Sequence, residues 1–325
     1  MNKAQWWEKY GENIKCTLCP HYCVLKNNVY GKCGVRVNKN GKLELPGYGM
    51  ITAQAADPVE KKPLYHFYPS SSVWSIGFAG CNLKCPYCQN YSISTAPAGT
   101  GVYQNPPDPV LKAEQSGCSI IAYTYSEPSI HYEYITETAL LARQHGLKNI
   151  LVTNGMLNPE PWKKLLAEMD AVNIDLKSFE PSYYSTVLDG SLNAVKKNII
   201  SAVEKTWVEI TVLVVPGDND NPEQFKMLVN WIEKISADIP LHLSAYYPSW
   251  KYTKEPTGLK KLTELAGIAR EKLNFVYLGN TGTDNNTICP VCGSEVIKRR
   301  YYFTENYLEN GKCPECGNKL PGIFS

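Results

Sequence analysis

Cys81, Cys85 and Cys88 stand at C-x3-C-x2-C spacing in VWSIGFAGCNLKCPYCQNY, residues 73–91. Three thiols within eight residues can wrap one loop around one iron–sulfur centre. A four-iron cluster ordinarily takes four thiolates. Three local thiolates with no evident fourth leave one iron open. That is what a cluster needs if it is to bind and reduce a small molecule rather than only pass electrons. A single zinc ion is the competing occupant, but structural zinc closes its shell with four ligands.

The other nine of the twelve cysteines fall into two quartets and a singleton. Cys16, Cys19, Cys23 and Cys33 lie in IKCTLCPHYCVLKNNVYGKCGVR, a span too short to bury a core, so a metal would supply its folding energy. Zinc is the first expectation there and a second iron–sulfur cluster the alternative, because the 2-3-9 spacing is not a standard zinc pattern. His21 reads as a bystander. Cys289, Cys292, Cys313 and Cys316 form two knuckles, CPVCG and CPECG, 20 residues apart, the signature of a zinc ribbon. Between them EVIKRRYYFTENYLENGK reads as a strand pair. Cys118 reads as a small buried apolar residue.

The rest of the chain must position these groups. It has 325 residues, 43% of them hydrophobic, enough for one large core with small appendages. A formal charge of +2 with no long run of like charge does not favour a nucleic-acid or anionic-membrane surface. Arg299, Arg300, Tyr301 and Tyr302 are the residues that would serve one. No apolar run has the length of a signal core or a membrane span. Grouped cysteine pairs in such a chain point to metal in a cytoplasmic protein rather than to disulfides.

β-Branched apolar runs occur at 73–78, 119–125, 149–153, 172–176, 208–215, 241–245 and 275–279, with helical patterns at 131–146, 158–169, 192–205, 221–237 and 257–272. Such alternation predicts a parallel sheet. Six or seven units predict an α/β fold, an open, partial (β/α)6 barrel, with its chemistry at the C-terminal ends of the strands. The expected organisation is a four-cysteine module at 1–40, a connector at 41–72, the barrel at 73–284 and a ribbon at 285–325. The connector segment DPVEKKPLYHFYPSS, with His66, is expected as a lid over the core. Polar residues due at the strand ends are Ser126 and Glu127, Thr153 and Asn154, Asp175 and Lys177, and His242. Asp175 and Lys177 share one face of strand four; His242 and Ser244 share one face of strand six. Asp218, Asp220 and Asn280 follow later strand ends.

The cysteine triplet with Tyr87 before its last member resembles the radical S-adenosylmethionine (SAM) superfamily. CTLCPHYC…GKCGVR, DPVEKKPLYHF, GCNLKCPYCQN, YTYSEPS, VTNG, NIDLKSF, HLSAYYP and CPVCG together resemble the AmmeMemoRadiSam-system members, relatives of pyruvate formate-lyase activating enzymes, over essentially the whole chain. The resemblance implies a [4Fe-4S] cluster on Cys81, Cys85 and Cys88 and reductive cleavage of SAM to a 5′-deoxyadenosyl radical. It implies SAM contacts from Ser126, Glu127, Asp175 and Lys177, a flavodoxin- or ferredoxin-type reductant, and AMMECR-like and Memo-like partners. Two departures stand out. Tyr125 replaces the first glycine of the Gly-Gly-Glu-Pro segment, and Val152 replaces an Asp before the Thr-Asn-Gly. The alternative is a metal-stapled scaffold without catalysis, binding a partner protein or nucleic acid.

Overall fold

A computed structural model describes residues 4–300 and 303–324. Seven strands form the core: β1 (Ser72–Phe78), β2 (Ile120–Thr124), β3 (Lys148–Thr153), β4 (Ala171–Asp175), β5 (Trp207–Val214), β6 (Leu241–Ala245) and β7 (Val276–Gly279). They pair in sequence order and all parallel. Six helices make the crossovers: α1 (Pro107–Gln115), α2 (Tyr132–Gln144), α3 (Pro159–Leu166), α4 (Leu192–Val203), α5 (Pro222–Ile235) and α6 (Leu259–Arg270). The sheet does not close. Beyond β1 it continues into an antiparallel strand, Met50–Pro58, and then a short outermost strand, Val102–Tyr103. This is the expected partial barrel.

The local causes are readable. In α5, Asn221 accepts from the backbone N–H groups of Glu223 and Gln224, and Phe225, Leu228, Val229 and Ile232 supply a buried stripe at helical spacing. In β2 all five residues are buried, as a strand covered on both faces requires. Helix α1 is absent from the sequence reading, because Pro106, Pro107 and Pro109 look like a loop. Proline is tolerated in a first helical turn, where the N–H has no partner to lose.

The N-terminal module is a three-strand antiparallel set, Trp7–Tyr10, Asn13–Cys16 and Val24–Leu25, followed by the pair Val37–Lys39 and Lys42–Glu44. Its apolar side chains, Ile14, Leu18, Leu25 and Val35 among them, join the barrel's own core cluster. Arg36 fixes the junction. Fully buried, it donates to the carbonyls of Ile130 and Gln5 and pairs with Glu133, whose other oxygen accepts the Gln5 N–H. Removing one partner of such a pair strands the other charge. Arg36→Met is expected to lower unfolding free energy by about 3–5 kcal/mol, read by denaturant titration.

The connector differs from expectation. Residues 58–70 do not form a lid over the catalytic end. Val59, Leu64 and Phe67 pack against Val73, Ile120, Ile150 and Ala171, at or near the strand starts, and so stopper the opposite end of the barrel. The C-terminal ribbon, with strands Thr287–Ile288, Glu295–Arg300 and Phe303–Asn306, backs this stopper. Phe67 bridges to Ile323, and Arg299 lies over the Tyr65 ring while donating to the Tyr65 carbonyl. Arg299 is therefore buried and committed; Tyr301 and Tyr302 lie outside the described residues.

His66 sits in the stopper, between the Pro321 carbonyl and the Tyr277 hydroxyl. Burial pushes its imidazole down to about 4 from 6.5, so it stays neutral in the fold. The unfolded chain binds the extra proton as pH falls from about 6.5 toward 4, and stability falls over that window by on the order of 3 kcal/mol. A His66→Gln chain is expected to be less stable at pH 7 but to lose stability less steeply, by one proton, between those values. An unchanged slope would contradict this.

Candidate active site

The cysteine loop follows β1 and is clasped from several sides. The Lys84 N–H donates to the Leu188 carbonyl, Lys84 Nζ to the Lys32 carbonyl, Ser249 Oγ to the Cys88 carbonyl, and the Lys251 N–H to the Pro86 carbonyl. His21 Nε2 meets the Asn82 carbonyl at 2.7 Å. These contacts from several segments fix the loop, which is what a rigid ligand set needs.

The three thiols face a cavity of about 290 Å³ at the C-terminal ends of the strands. Its walls include Ser126, Glu127, Asn154, Asp175, Lys177, Ser244 and Asn280. The structure thus brings together, around the cysteine triplet, most of the polar residues picked from the strand ends. Thr153 and His242 stand behind the wall. Thr153 Oγ1 donates to Glu127 Oε1 at 2.7 Å. His242, two residues before Ser244, lies one layer deeper in the barrel and pairs with buried Glu209 at 2.6 Å. Glu209 also accepts from the N–H groups of Tyr65 and His66, a use for an interior strand acid that periodicity does not signal. Asp218, committed to Lys254 and the Tyr183 hydroxyl, and Asp220, accepting the Gly217 N–H, are not among the cavity's lining residues.

Glu127 is fully buried and organises the mouth. Its carboxylate accepts from the N–H of Ser129 and of Asn154 and from the Thr153 hydroxyl. Burial raises its pKa above the ordinary carboxyl value, and these three donors offset that only in part. Asn154 in turn donates to Asn82 Oδ1 at 2.8 Å and reaches the Cys81 sulfur at 3.8 Å. Lys177 and Asp175 pair at 2.9 Å across the cavity from Glu127's strand. Burial opposes the Lys177 charge, but Asp175 and the Cys85 sulfur outweigh it and push its pKa up. Lys177 therefore stays cationic.

Tyr125 occupies the place of the first expected glycine with a φ of 75°, a left-handed conformation costly for a bulky residue. It is held there by its hydroxyl, 2.8 Å from Asp57, and by Lys62 over its ring. Gly77 makes room: a Cβ there would lie 2.7 Å from the Tyr125 ring. The backbone conformation that glycine would adopt freely is retained, and tertiary contacts impose it. Lys61, from the stopper, also lines the cavity, a contribution that no motif marks.

The thiols fit a cluster. Burial drives Cys81 well above the ordinary thiol range and Cys85 up to about 11, so thiolates here need a cationic centre to stabilise them. The Leu83 N–H, 3.3 Å from Cys81 Sγ, and Ser94, 3.4 Å from Cys88 Sγ, are donors suited to iron-bound thiolates. The C-terminal quartet differs. Its four sulfurs lie within 4.8 Å of one another, with Cys289 to Cys316 and Cys292 to Cys313 each at 3.6 Å. Tetrahedral zinc places thiolates about 3.8 Å apart. This set could hold one such ion.

Comparison with known proteins agrees with this geometry. The fold is similar to that of SuiB of Streptococcus suis bound to S-adenosylmethionine. That structure aligns at a TM-score of 0.53 over 68% of this chain and 53% of its own, a likeness of fold at 15% identity. The family model of the radical SAM superfamily matches residues 75–232, which contain the cysteine loop and β2–β5. The AdoMet-dependent heme synthase of Methanosarcina barkeri is 32% identical over 66% of this chain and 73% of its own. The pyruvate formate-lyase-activating enzyme of Clostridium pasteurianum is 22% identical over 60% and 84%. An uncharacterized protein of Methanocaldococcus jannaschii is 37% identical over 98% and 99%. The chain belongs to the radical SAM superfamily.

Proposed function

We propose that the protein is a radical SAM enzyme of the activating-enzyme type, with Cys81, Cys85 and Cys88 holding a [4Fe-4S] cluster and the cavity beside them receiving SAM. The observation that carries this is the meeting, in one cavity, of three preorganised thiols with a buried carboxylate and a cation. The cluster, once bound and reduced, supplies one-electron cleavage of the sulfonium to a 5′-deoxyadenosyl radical. Lys177 stands ready for the SAM carboxylate, with Asp175 holding it, and the Glu127 carboxylate for the amino group. Ser126, which donates to the Phe78 carbonyl, fixes the strand-end turn through which Glu127 reaches the cavity. The stopper keeps water from the barrel floor.

The substrate would be a protein, as in glycyl-radical activation, or a small molecule. The subfamily resemblance adds AMMECR-like and Memo-like proteins as candidate partners and a flavodoxin- or ferredoxin-type protein as reductant. The test is anaerobic reconstitution with iron and sulfide, then dithionite and SAM. Release of 5′-deoxyadenosine is expected. Its absence from fully loaded protein, or zinc at all three cysteine sets, would instead favour the scaffold. Deuterium carried into 5′-deoxyadenosine from labelled candidates then separates protein from small-molecule substrates.

A further inference from the structure

The N-terminal quartet is not built like the C-terminal one. Among the described residues, the only set of three or more His, Cys, Asp or Glu ligand atoms within 4.8 Å of one another is the C-terminal quartet. No three of the sulfurs of Cys16, Cys19, Cys23 and Cys33 meet that spacing, nor do those of the loop triplet. A zinc ion gathers its thiolates to one centre, whereas a four-iron cube binds each on a different iron and holds them further apart. Gly31 opens a cradle between them: a Cβ there would stand 3.7 Å from Cys23 Sγ and 3.8 Å from Cys33 Sγ. The Lys32 N–H points at Cys23 Sγ from 3.5 Å. His21, the one imidazole in the module, is committed to the Asn82 carbonyl.

The quartet also abuts the catalytic loop. Gly80, next to Cys81, adopts a φ of 86°, and a Cβ on it would lie 2.6 Å from the Cys33 carbonyl oxygen. His21, between Cys19 and Cys23, bonds to Asn82, also next to Cys81. Even at full extension, standard bond lengths keep Cys33 Sγ and Cys81 Sγ within about 16 Å. Clusters carried on these sulfurs would have facing edges nearer still.

We propose that Cys16, Cys19, Cys23 and Cys33 hold a second iron–sulfur cluster, in electronic contact with the cluster on the loop triplet through the Cys33–Gly80 contact. Its role as the point of electron entry rests on the catalytic reading above; its existence does not. A one-electron donor of the flavodoxin or ferredoxin class loses one electron to the N-terminal cluster, which passes it to the loop cluster and returns to its oxidised state.

The experiment is metal analysis and electron paramagnetic resonance on anaerobically reconstituted full-length protein. Wild type is expected to carry about eight irons and one zinc per chain, the zinc in the ribbon. Cys85→Ala should keep about half that iron and a reduced-state signal that SAM does not perturb. Cys16→Ser/Cys23→Ser should lose the SAM-insensitive signal. In wild type, faster spin relaxation of the SAM-sensitive signal when both centres are reduced would show the contact, and Gly80→Ala, by pushing the module outward, should weaken it. Two zincs and about four irons in wild type would overturn the second cluster without reference to any variant's folding, and unaltered relaxation would overturn the contact. Failure to cleave SAM from protein carrying both clusters would count against the catalytic reading alone.

Discussion

A Cys85→Ala chain, reconstituted without oxygen, is expected to release no 5′-deoxyadenosine above the background of dithionite and SAM, a loss of at least about 10³-fold. The argument is one of coordination. Two thiolates cannot hold a cuboidal cluster against loss of iron, and no other cysteine lines the cavity. The ribbon quartet lies on the stopper side, so zinc content should match wild type. The change is also mild for the fold, because the loop is tied by backbone contacts at Asn82, Lys84, Pro86 and Cys88, none of which uses the Cys85 side chain. Retained cleavage by this chain would sink the assignment of the triplet.

Glu127→Ala is expected to be the most damaging change that spares every cysteine. Three buried donors, the N–H groups of Ser129 and Asn154 and the Thr153 hydroxyl, would lose their acceptor. Buried unmatched donors cost about 1–3 kcal/mol each, so with three of them unfolding free energy should drop by roughly 3 kcal/mol or more. SAM cleavage should fall by 10²-fold or more even where the protein stays folded, because Asn154 touches Cys81 and moves with the turn. Glu127→Gln keeps the shape but sets an amide N–H against one of these donors. It should recover part of the stability and little of the activity. Equal recovery of both would show that the charge does no more than hold the turn.

Much of the barrel is legible before any coordinates. The seven β-branched runs lie within a residue or so of the observed strands, because strands covered on both faces leave a mostly apolar record. The Pro-rich start of α1 hides a helix, since proline is read as a breaker although a first turn accepts it. The strand-end polar residues are legible as a set, but depth along a strand is not. Ser244 and His242 share a face, yet only Ser244 reaches the cavity, because a two-residue step down the strand moves a side chain a full layer inward. Contacts from distant segments leave no local trace at all. Nothing near Tyr125 announces that Asp57, Lys62 and Gly77 will hold it in a glycine's conformation, or that Lys61 will reach the cavity from behind.

The stopper packs one end of the barrel, while Lys61, Pro63, Ser244 and Asn280 border both the thiol cavity and a neighbouring cavity of about 280 Å³ beside β6 and β7. With Phe67 and Leu64 packed against residues at or near the strand starts, the thiol cavity lies toward the opposite end, beside the cysteine loop. An ion held by the ribbon quartet would brace that packed end and not the cysteine loop, so chelating it is expected to lower thermal stability while leaving the loop's ligand set in place.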